Sequence, residues 1–344
     1  MKRIMIVTSS LTGGGAERSM NILANELVRR RWEISLVPIN SSEHDLIELG
    51  CKVFPLNRKW RGGLFGTVKS IIDFNQIAFK WKPEILILNC ALPELFGSMV
   101  LRRSSIIVLE HAKYPWVGRE PLGKVVRSIL RLRGAEWVAV SSHLKIWPSN
   151  SLPNSILQNS ISGLEIQNSE FDSFTKLKRL VFIGRFSIEK RPDWFLEISV
   201  KSGLPAILIG DGTLKSTLER SVISSNQYVD FLGYVRNPWS LLTPGDLLIV
   251  PSEWEGDGLV VIEALRANMP MLLADIPDFR RFFFPDHNYA ANCDAFVRSI
   301  RLNADNLNPL RVPAEIAAQV LLTRTPINVG SEWIKFLQRF VKEM

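Results

Sequence analysis

Short apolar runs, turns and amphipathic stretches follow one another along most of this 344-residue chain, and this alternation constrains the fold more than any other feature. The apolar runs have the length of strands that are buried on both faces of a sheet. Between the first two runs, residues 16–30 carry Met20, Leu23 and Leu27 at helical spacing. Strands that alternate with helices form a parallel sheet covered on both sides. The sequence therefore predicts an α/β fold, whose first half has strands at residues 3–7, 33–38, 52–55, 85–88, 105–109 and 137–140.

A polar stretch at residues 149–174, rich in Ser, Asn and Pro, separates two such series and is typical of an interdomain connection. We therefore predict two Rossmann-like domains, residues 1–165 and 166–326, that face each other across a cleft. A closing helix within residues 327–344 is expected to pack back toward the first domain. The second series has predicted strands at residues 179–183, 205–209, 229–232, 246–250 and 271–274, and predicted helices at residues 192–201, 214–221 and 258–266.

Composition excludes several classes of protein. With 46% hydrophobic residues the chain is too apolar to be disordered as a whole. Cys51, Cys90 and Cys293 are far apart, so neither a disulfide framework nor a zinc knuckle is expected, and a reducing, cytosolic compartment follows. The apolar run at residues 4–7 is too short for a signal peptide, and no run approaches the length of a membrane span, so we expect a soluble or peripheral protein.

The net charge of +8 is unevenly distributed. Residues 1–165 hold 22 Lys and Arg against 13 Asp and Glu, whereas residues 166–344 hold 20 against 21. Such an asymmetry indicates a basic surface directed at a polyanion, either nucleic acid or an anionic membrane. Nucleic-acid binding would require aromatic stacking platforms or a recognition-helix motif, and neither is identifiable, so no nucleic-acid partner is expected.

Cations accompany large apolar residues at three places in the first half, residues 58–65, 79–82 and 122–133, which suits contact with an anionic bilayer. In the last of these, one predicted helical stripe is apolar and the cations lie off it. The alternative is that this stripe is the core face of an ordinary helix. The stripe comprises Leu122, Val125, Val126, Ile129 and Leu130, and the cations are Lys124, Arg127 and Arg131.

A glycine-rich turn at residues 12–18 lies between the first strand and the first helix. Glycines allow close approach of a ligand, and a helix N-terminus suits a phosphate, so this turn is a candidate anion cradle. An NAD site is not expected, because Arg18 occupies the position of the third glycine and residues 38–40 lack the acid that binds ribose. The alternative is a tight turn without a ligand.

Two further motifs lie in the second half. Arg185 and Lys190 follow its first strand, where they could clamp a diphosphate or could be a pair of solvated surface cations. Glu255 and Glu263 lie eight residues apart around a predicted helix start. They could bind separate hydroxyl groups of one polyhydroxylated ligand, act as the carboxylate pair of a glycoside hydrolase, or form an acidic loop beside a solvated helix face.

Together the three motifs resemble family 4 of the retaining nucleotide-sugar glycosyltransferases, which have the GT-B fold. The resemblance covers nearly the whole chain, from residues 13–18 through residues 182–190 to residues 251–265 and the closing helix. Weaker similarities occur at residues 110–111, 138–141, 158–160, 210–212 and 231–235.

The resemblance implies roles for individual residues. The leaving diphosphate would be neutralised by two cations, the ribose and the transferred sugar would be held by the two glutamates, and a histidine would lie beside the reacting centre. That histidine could instead be a hydrogen-bonded core residue. The implied catalytic residues are Glu255, Arg185, Lys190 and His111, and the implied donor-binding residues are Gly14, Gly15, Gly256, Asp257, Gly258, Leu259 and Glu263.

The implied activity is transfer of a sugar, with retention of configuration, from a UDP-sugar to a lipid-linked or saccharide acceptor in surface-polysaccharide synthesis. The acceptor would be a glycan on a polyprenyl diphosphate, at the cytoplasmic face of the cell membrane. Neither a metal ion nor another cofactor is implied, and the sequence lacks a D-x-D triplet.

Two departures from the family pattern matter. Asp257 stands where an aromatic or aliphatic residue is common, and residues 275–281 lack a glycine-rich form. Asp257 motivates an alternative function, a catalytically weak sugar-nucleotide-binding subunit of a glycosyltransferase complex. A hydrolase or phosphorylase is a third possibility.

Overall fold

A computed structural model describes residues 3–11, 14–41, 50–58, 63–161, 175–225 and 228–342. The chain divides into two compact units. Unit 1 comprises Met1–Ser162 and Arg324–Met344, and unit 2 comprises Gly163–Thr323. The boundary predicted between residues 165 and 166 lies outside the described residues.

Unit 1 contains a parallel sheet of seven strands in the order β3-β2-β1-β4-β5-β6-β7. Strand order reverses between β1 and β4, which is the arrangement that opens a ligand crevice at the carboxyl edge of a doubly wound sheet. The polar stretch predicted to be a connection also contributes the short strand β7, which pairs with β6. The strands are β1 (Arg3–Thr8), β2 (Glu33–Pro38), β3 (Lys52–Val53), β4 (Ile85–Asn89), β5 (Ser105–Glu110), β6 (Glu136–Ala139) and β7 (Ser155–Ile156).

Helices cover both faces of this sheet. In β1, Met5 and Val7 belong to the core cluster on one face, and Ile4 and Ile6 belong to the cluster on the other, as the period of two requires. The first cluster also contains residues of α2, α3 and α4, and the second contains residues of α1. The helices are α1 (Gly15–Arg29), α2 (Gly63–Trp81), α3 (Ala91–Ser98) and α4 (Glu120–Leu132).

The α4 helix corrects one prediction. The residues it buries are Gly123, Val126, Arg127 and Leu130, whereas Leu122, Val125 and Ile129 of the predicted stripe are exposed. Arg127, predicted to lie off the apolar stripe, is fully buried because two glutamates and two tryptophans enclose it.

Unit 2 contains a second parallel sheet, with six strands in the order β10-β9-β8-β11-β12-β13. The predicted α/β fold with two parallel sheets is therefore confirmed. Its strands are β8 (Arg179–Ile183), β9 (Ala206–Ile209), β10 (Val229–Gly233), β11 (Asp246–Val250), β12 (Met271–Ala274) and β13 (Tyr289–Ala290). Its helices are α5 (Pro192–Ser202), α6 (Lys215–Ser225), α7 (Leu259–Arg266), α8 (Pro277–Arg280), α9 (Cys293–Leu302) and α10 (Ala314–Thr323).

The chain then returns to unit 1. The predicted closing helix is two helices, α11 (Pro326–Leu337) and α12 (Arg339–Lys342). Trp333 of α11 is buried in the same cluster as Leu23 and Leu27 of α1. Helices α1 and α11 approach so closely at Gly330 that a Cβ there would lie 2.5 Å from Glu26 Cγ. Within the described ranges, no helix is both long and apolar enough to cross a bilayer.

Candidate active site

In unit 1, the glycine-rich turn and His111 follow two strands of the sheet at their carboxyl ends. Gly14 is the N-cap of α1 and Gly15 is its first residue. Gly13 lies outside the described residues. His111 follows β5 directly and is half-buried. Both positions are at the edge of the sheet where ligands of open α/β folds bind.

A buried charge network lies directly beside His111. Arg127 Nη1 donates to Glu110 Oε2 at 2.6 Å, and Arg127 Nη2 donates to Glu94 Oε1 at 2.5 Å. Burial raises the pKa of Glu110 to about 7, and the charge of Glu94 acts in the same direction, whereas Arg127 opposes this rise. The guanidinium also donates to the Trp147 carbonyl oxygen at 2.6 Å. This network ties the end of β5 to α3, α4 and the turn at Trp147.

In unit 2, the structure brings together two residues that the sequence implicated separately. Lys190 Nζ donates to Glu255 Oε2 at 2.5 Å, and the Ser252 hydroxyl donates to Glu255 Oε1 at 2.8 Å. The Glu255 side chain is 5% exposed and that of Lys190 is 25% exposed. The pair is thus neutralised internally while the lysine remains accessible to an anion.

Arg185 follows β8 and is exposed. No carboxylate in the described part of unit 2 forms an ion pair with it, so its charge is available to a ligand. The loop that contains Gly210 packs closely against the backbone just before Arg185. A Cβ on Gly210 would lie only 1.9 Å from the Gly184 carbonyl oxygen. Gly210 also has a φ of +147°, which favours glycine.

Glu263 lies in α7 and is 5% exposed. Its Oε2 accepts a hydrogen bond of 3.1 Å from Trp239 Nε1. Trp239 was not among the predicted residues. A buried indole N–H needs an acceptor, and this requirement is the sequence signal that could have suggested a carboxylate partner.

The loop from Glu255 to Gly258 is buried and leads into α7. Gly256 lies within it, and Leu259 is the first residue of the helix. Gly258 has a φ of +61°, and a Cβ there would lie 3.3 Å from the Phe279 ring. The left-handed backbone conformation therefore favours glycine at this position, and a side chain there would press on the Phe279 ring.

Two residues after β12, which were not among the predicted site residues, hold this loop. Arg281 Nη2 donates to the Asp257 carboxylate at 3.0 Å and to the Asp257 carbonyl oxygen at 2.7 Å. The Asp278 carboxylate accepts from the Glu255 backbone N–H at 2.8 Å. Asp257 is thus not an uncompensated acid. The sequence signal for these two contacts is the charged segment 275–281, which lacks the glycine-rich form of the family pattern.

Across the described ranges, no cluster of three or more His, Cys, Asp or Glu side chains is arranged to hold a metal ion. Lys190, Glu255 and Asp257 instead pair with neighbouring side chains. The arrangement in unit 2 suits a ligand that carries both phosphate and hydroxyl groups, because cations and acceptors lie at the same sheet edge.

Part of the chain matches a family of known glycosyltransferases. Residues 165–302 match the family model described as glycosyl transferases group 1. A relative from Campylobacter jejuni, a GalNAc-α-(1→4)-GalNAc-α-(1→3)-diNAcBac-PP-undecaprenol α-1,4-N-acetyl-D-galactosaminyltransferase, is 26% identical over 98% of each chain. An uncharacterised glycosyltransferase of Methanocaldococcus jannaschii is 32% identical over 40% of this chain and 35% of its own.

Solved structures share the fold. Sucrose-phosphate synthase from Thermosynechococcus elongatus matches with a TM-score of 0.80 at 16% identity, over the whole of both chains. Anabaena HepE in complex with UDP and glucose matches with a TM-score of 0.78 at 15% identity, over 98% of this chain and all of its own. At these identities the likeness shows the fold alone. The family model, the relatives and the fold together support a glycosyltransferase of the GT-B type.

Proposed function

We propose that the chain is a metal-independent, retaining glycosyltransferase of family 4. It transfers a sugar from a nucleotide-sugar donor, a UDP-sugar, to a lipid-linked or saccharide acceptor in surface-polysaccharide synthesis. The observation that carries this proposal is the Lys190–Glu255 pair, with Nζ and Oε2 2.5 Å apart. The pair lies in the same unit as the exposed Arg185 and the Trp239-bound Glu263.

The donor binds through its two ends. Glu263 accepts hydrogen bonds from the ribose hydroxyls, and its hydrogen bond from Trp239 orients the carboxylate for this role. Glu255, with the backbone N–H groups of residues 256–259, holds the transferred sugar. In unit 1, Gly14 and Gly15 at the start of α1 are suited to bind a phosphate group and leave room for the acceptor.

Arg185 and Lys190 stabilise the transition state. As the bond between the anomeric carbon and the phosphate oxygen breaks, negative charge develops on the diphosphate, and fixed cations stabilise it more strongly then than in the ground state. Lys190 exchanges Glu255 for the phosphate, which releases the carboxylate to the sugar hydroxyls. Two cations supply this neutralisation without a metal ion.

The acceptor hydroxyl attacks the face of the sugar from which the diphosphate departs. The new glycosidic bond forms on that face, and the proton of the hydroxyl passes to the leaving phosphate oxygen, so configuration is retained. His111 of unit 1 is the remaining residue that we assign to the reaction. Its position at the end of β5 is fixed by the network of Arg127, Glu94 and Glu110.

The acceptor class rests on two observations. The Campylobacter jejuni relative is named for an undecaprenol diphosphate-linked acceptor. The excess of cations lies in the first half of this chain. We place the protein at the inner face of the cell membrane, where an anionic surface attracts basic segments.

The first experiment replaces the paired charges. Lys190→Ala and Glu255→Gln are expected to lower transfer at least about a hundredfold, the scale on which loss of one transition-state contact acts. The matched control is Lys176→Ala, which breaks an ion pair to Asp305 in the same unit but with both side chains exposed. Circular dichroism melting shows whether each variant is folded. Near-normal turnover of folded Lys190→Ala protein would exclude the mechanism.

Donor and stereochemistry are measured separately. A thermal-shift screen against UDP-, GDP- and ADP-sugars is expected to show the largest shift with a UDP-sugar, because binding to the folded state raises the melting temperature. Proton NMR of the product gives the anomeric configuration, and an inverted product contradicts the proposal. Rapid release of free sugar without acceptor would indicate a hydrolase instead. Tight donor binding without turnover would favour the sugar-nucleotide-binding subunit.

A further inference from the structure

The loop between β5 and α4, residues 111–119, begins with His111 at the carboxyl edge of the sheet in unit 1. We call it the β5–α4 loop. Loops at this edge carry the ligand-binding residues of open α/β folds. The mechanism proposed above uses only His111 of this loop, although several of its other side chains are exposed.

The β5–α4 loop is held at two points. The first anchor is Glu110, the last residue of β5, which is buried and pairs with Arg127. The second anchor is Trp116, whose indole Nε1 donates to Glu94 Oε2 at 2.9 Å. Because Glu94 also accepts from Arg127 Nη2, both anchors belong to one buried network.

The second anchor packs tightly against α4. Trp116 is 6% exposed, and a Cβ on Gly123 would lie 2.3 Å from Trp116 Cγ. The Trp116 carbonyl oxygen accepts from the Arg119 backbone N–H at 2.9 Å, which closes a turn at the end of the loop. Residues 111–115 therefore bridge two fixed points. Side chains on such a bridge lose little freedom when a ligand binds.

Tyr114 is the exposed aromatic residue of this bridge. It is 48% exposed, and Lys113 Nζ lies over its ring, 5.4 Å from the centroid, a contact that orients the ring. Among the described residues of unit 1, the other exposed aromatic side chains are Phe65 and Phe79, and both lie on α2. Tyrosine offers a large, rigid and amphipathic surface, so an exposed tyrosine on an anchored loop suits stacking with a ligand.

The position of Tyr114 indicates which ligand can stack on it. Three residues of chain extend at most about 11 Å, so Tyr114 Cα lies within this distance of His111 Cα. A saccharide bound beside His111 can therefore reach Tyr114. A pyranose ring has a face formed mainly by C–H groups, and this face packs against an aromatic ring while the hydroxyl groups stay in water.

We propose that Tyr114 is a subsite for a pyranose ring of the acceptor. The C–H face of the sugar stacks on the exposed surface of the tyrosine ring, which positions the acceptor beside His111. Tyr114 thereby selects a cyclic saccharide over an open-chain polyol, since only the cyclic form has a flat apolar face. This assignment rests on the proposed function, because it takes the acceptor to be a glycan.

Saturation-transfer NMR measures binding to the whole chain without a nucleotide sugar. The probes are the methyl glycosides of glucose, galactose, mannose, N-acetylglucosamine and N-acetylgalactosamine, with sorbitol as the open-chain control. At least one glycoside is expected to bind, with most saturation on the C–H protons of one face, and sorbitol is expected not to bind. Tyr114→Ala is expected to weaken the bound glycoside about five- to tenfold, the scale of one aromatic contact. Tyr114→Phe keeps the ring and is expected to bind within about twofold of the wild type.

Tyr228→Ala is the matched control. Tyr228 is 86% exposed and directly precedes β10, at the amino end of a strand in unit 2, whereas the residues assigned to the donor follow the carboxyl ends. This variant is expected to bind the glycoside as the wild type does. UDP is expected to raise the melting temperature of Tyr114→Ala as much as that of the wild type, because Tyr114 acts on the acceptor.

Three results would overturn the subsite. They are failure of every methyl glycoside to bind the wild type, unchanged glycoside affinity in Tyr114→Ala, and an equal loss in Tyr114→Phe and Tyr114→Ala. Contact with a lipid surface is the other use of an exposed tyrosine beside cations. If Tyr114→Ala reduces flotation with phosphatidylglycerol vesicles but leaves glycoside affinity unchanged, membrane contact replaces this proposal.

Glycoside binding and sugar transfer fail independently. Charge variants in unit 2 that retain transfer would refute the donor mechanism without affecting the binding measurement. A wild type that transfers sugar but binds none of the glycosides would refute only the subsite. In the transfer assay itself, Tyr114→Ala is expected to raise the KM for the acceptor about five- to tenfold, with kcat and the KM for the donor within about twofold.

Discussion

The ion pair of Asp257 with Arg281 explains the presence of an acid in this loop. In the sequence it is an additional acid in the loop that would hold the sugar. In the structure its carboxylate and carbonyl oxygen both accept from Arg281, whose side chain is 18% exposed. The charge is compensated within unit 2, so Asp257 and Arg281 fix the conformation of the loop. An ion pair between residues 24 positions apart has no local sequence pattern, and this is why the motif alone does not reveal the partner of Asp257.

A double-mutant cycle tests this pairing. Arg281→Met removes the cation that pairs with the buried Asp257 carboxylate and is expected to lower the free energy of unfolding by about 3 kcal/mol. In Asp257→Asn/Arg281→Met the cost is expected to be smaller than the sum of the two single changes, since the pair is coupled. Urea denaturation measures each value.

The neighbouring Arg280→Met provides the control for the cycle. Arg280 pairs with Asp275 and Asp286 and is 40% exposed, so its loss is expected to cost less than about 1 kcal/mol. Strictly additive effects of Asp257→Asn and Arg281→Met would contradict the coupling.

At the scale of elements, the sequence was informative about strands and less so about helix orientation. The strands Glu33–Pro38, Arg179–Ile183, Asp246–Val250 and Met271–Ala274 have the predicted bounds, because a strand buried on both faces is a continuous apolar run. The two-residue β7 is too short and polar to leave such a run. In α4, periodicity alone grouped exposed and buried apolar residues into one stripe, because both sides of that helix carry apolar residues and its packed side contains Arg127.

The network around Arg127 predicts a pH dependence of stability. The folded protein keeps the Glu110 proton up to a pKa of about 7, whereas the unfolded chain loses it near 4.5. Between these values the folded state binds more protons, so this group contributes stability at low pH that is lost as pH rises through about 7. Melting temperatures from pH 5 to pH 8 are expected to fall more steeply for the wild type than for Glu110→Gln.

Glu120→Gln is the control for this pH series. Backbone N–H groups lower the pKa of Glu120, so it does not titrate in this range, and its variant is expected to follow the wild type. Parallel melting curves for the wild type and Glu110→Gln would show that Glu110 does not titrate near neutrality.

At the scale of the whole molecule, unit 1 is built from two separate stretches of sequence. Arg324 and α11 follow unit 2 in the chain but belong to unit 1. The Ile161 N–H donates to the Arg324 carbonyl oxygen at 3.1 Å, and Arg30 Nη2 donates to the Ile327 carbonyl oxygen at 2.8 Å. The apolar spacing of the last segment predicted a helix, but the sequence contains no local signal for the residues of α1 on which it packs.

Substitution of Trp333 tests how much helix α11 contributes to the stability of unit 1. It is 1% exposed and contacts Phe336 edge-on, with ring centroids 6.0 Å apart. Trp333→Ala is expected to lower the free energy of unfolding by about 4 kcal/mol, the usual cost of truncating a buried aromatic residue. Ile327→Ala changes a residue of the same helix that is 65% exposed, and is expected to cost less than about 0.5 kcal/mol. Similar losses for the two variants, measured by chemical denaturation, would show that α11 does not stabilise unit 1 through its buried face.

The return of the chain to unit 1 also has a consequence for protein synthesis. The α1 face that contacts Trp333 and Gly330 is made about 300 residues before them. At a translation rate of about 5–20 residues per second, Leu23 and Leu27 stay uncovered for roughly 15–60 s on the ribosome. Nascent unit 1 therefore exposes an apolar helix face during that interval, which makes it a candidate client of chaperones that bind nascent chains.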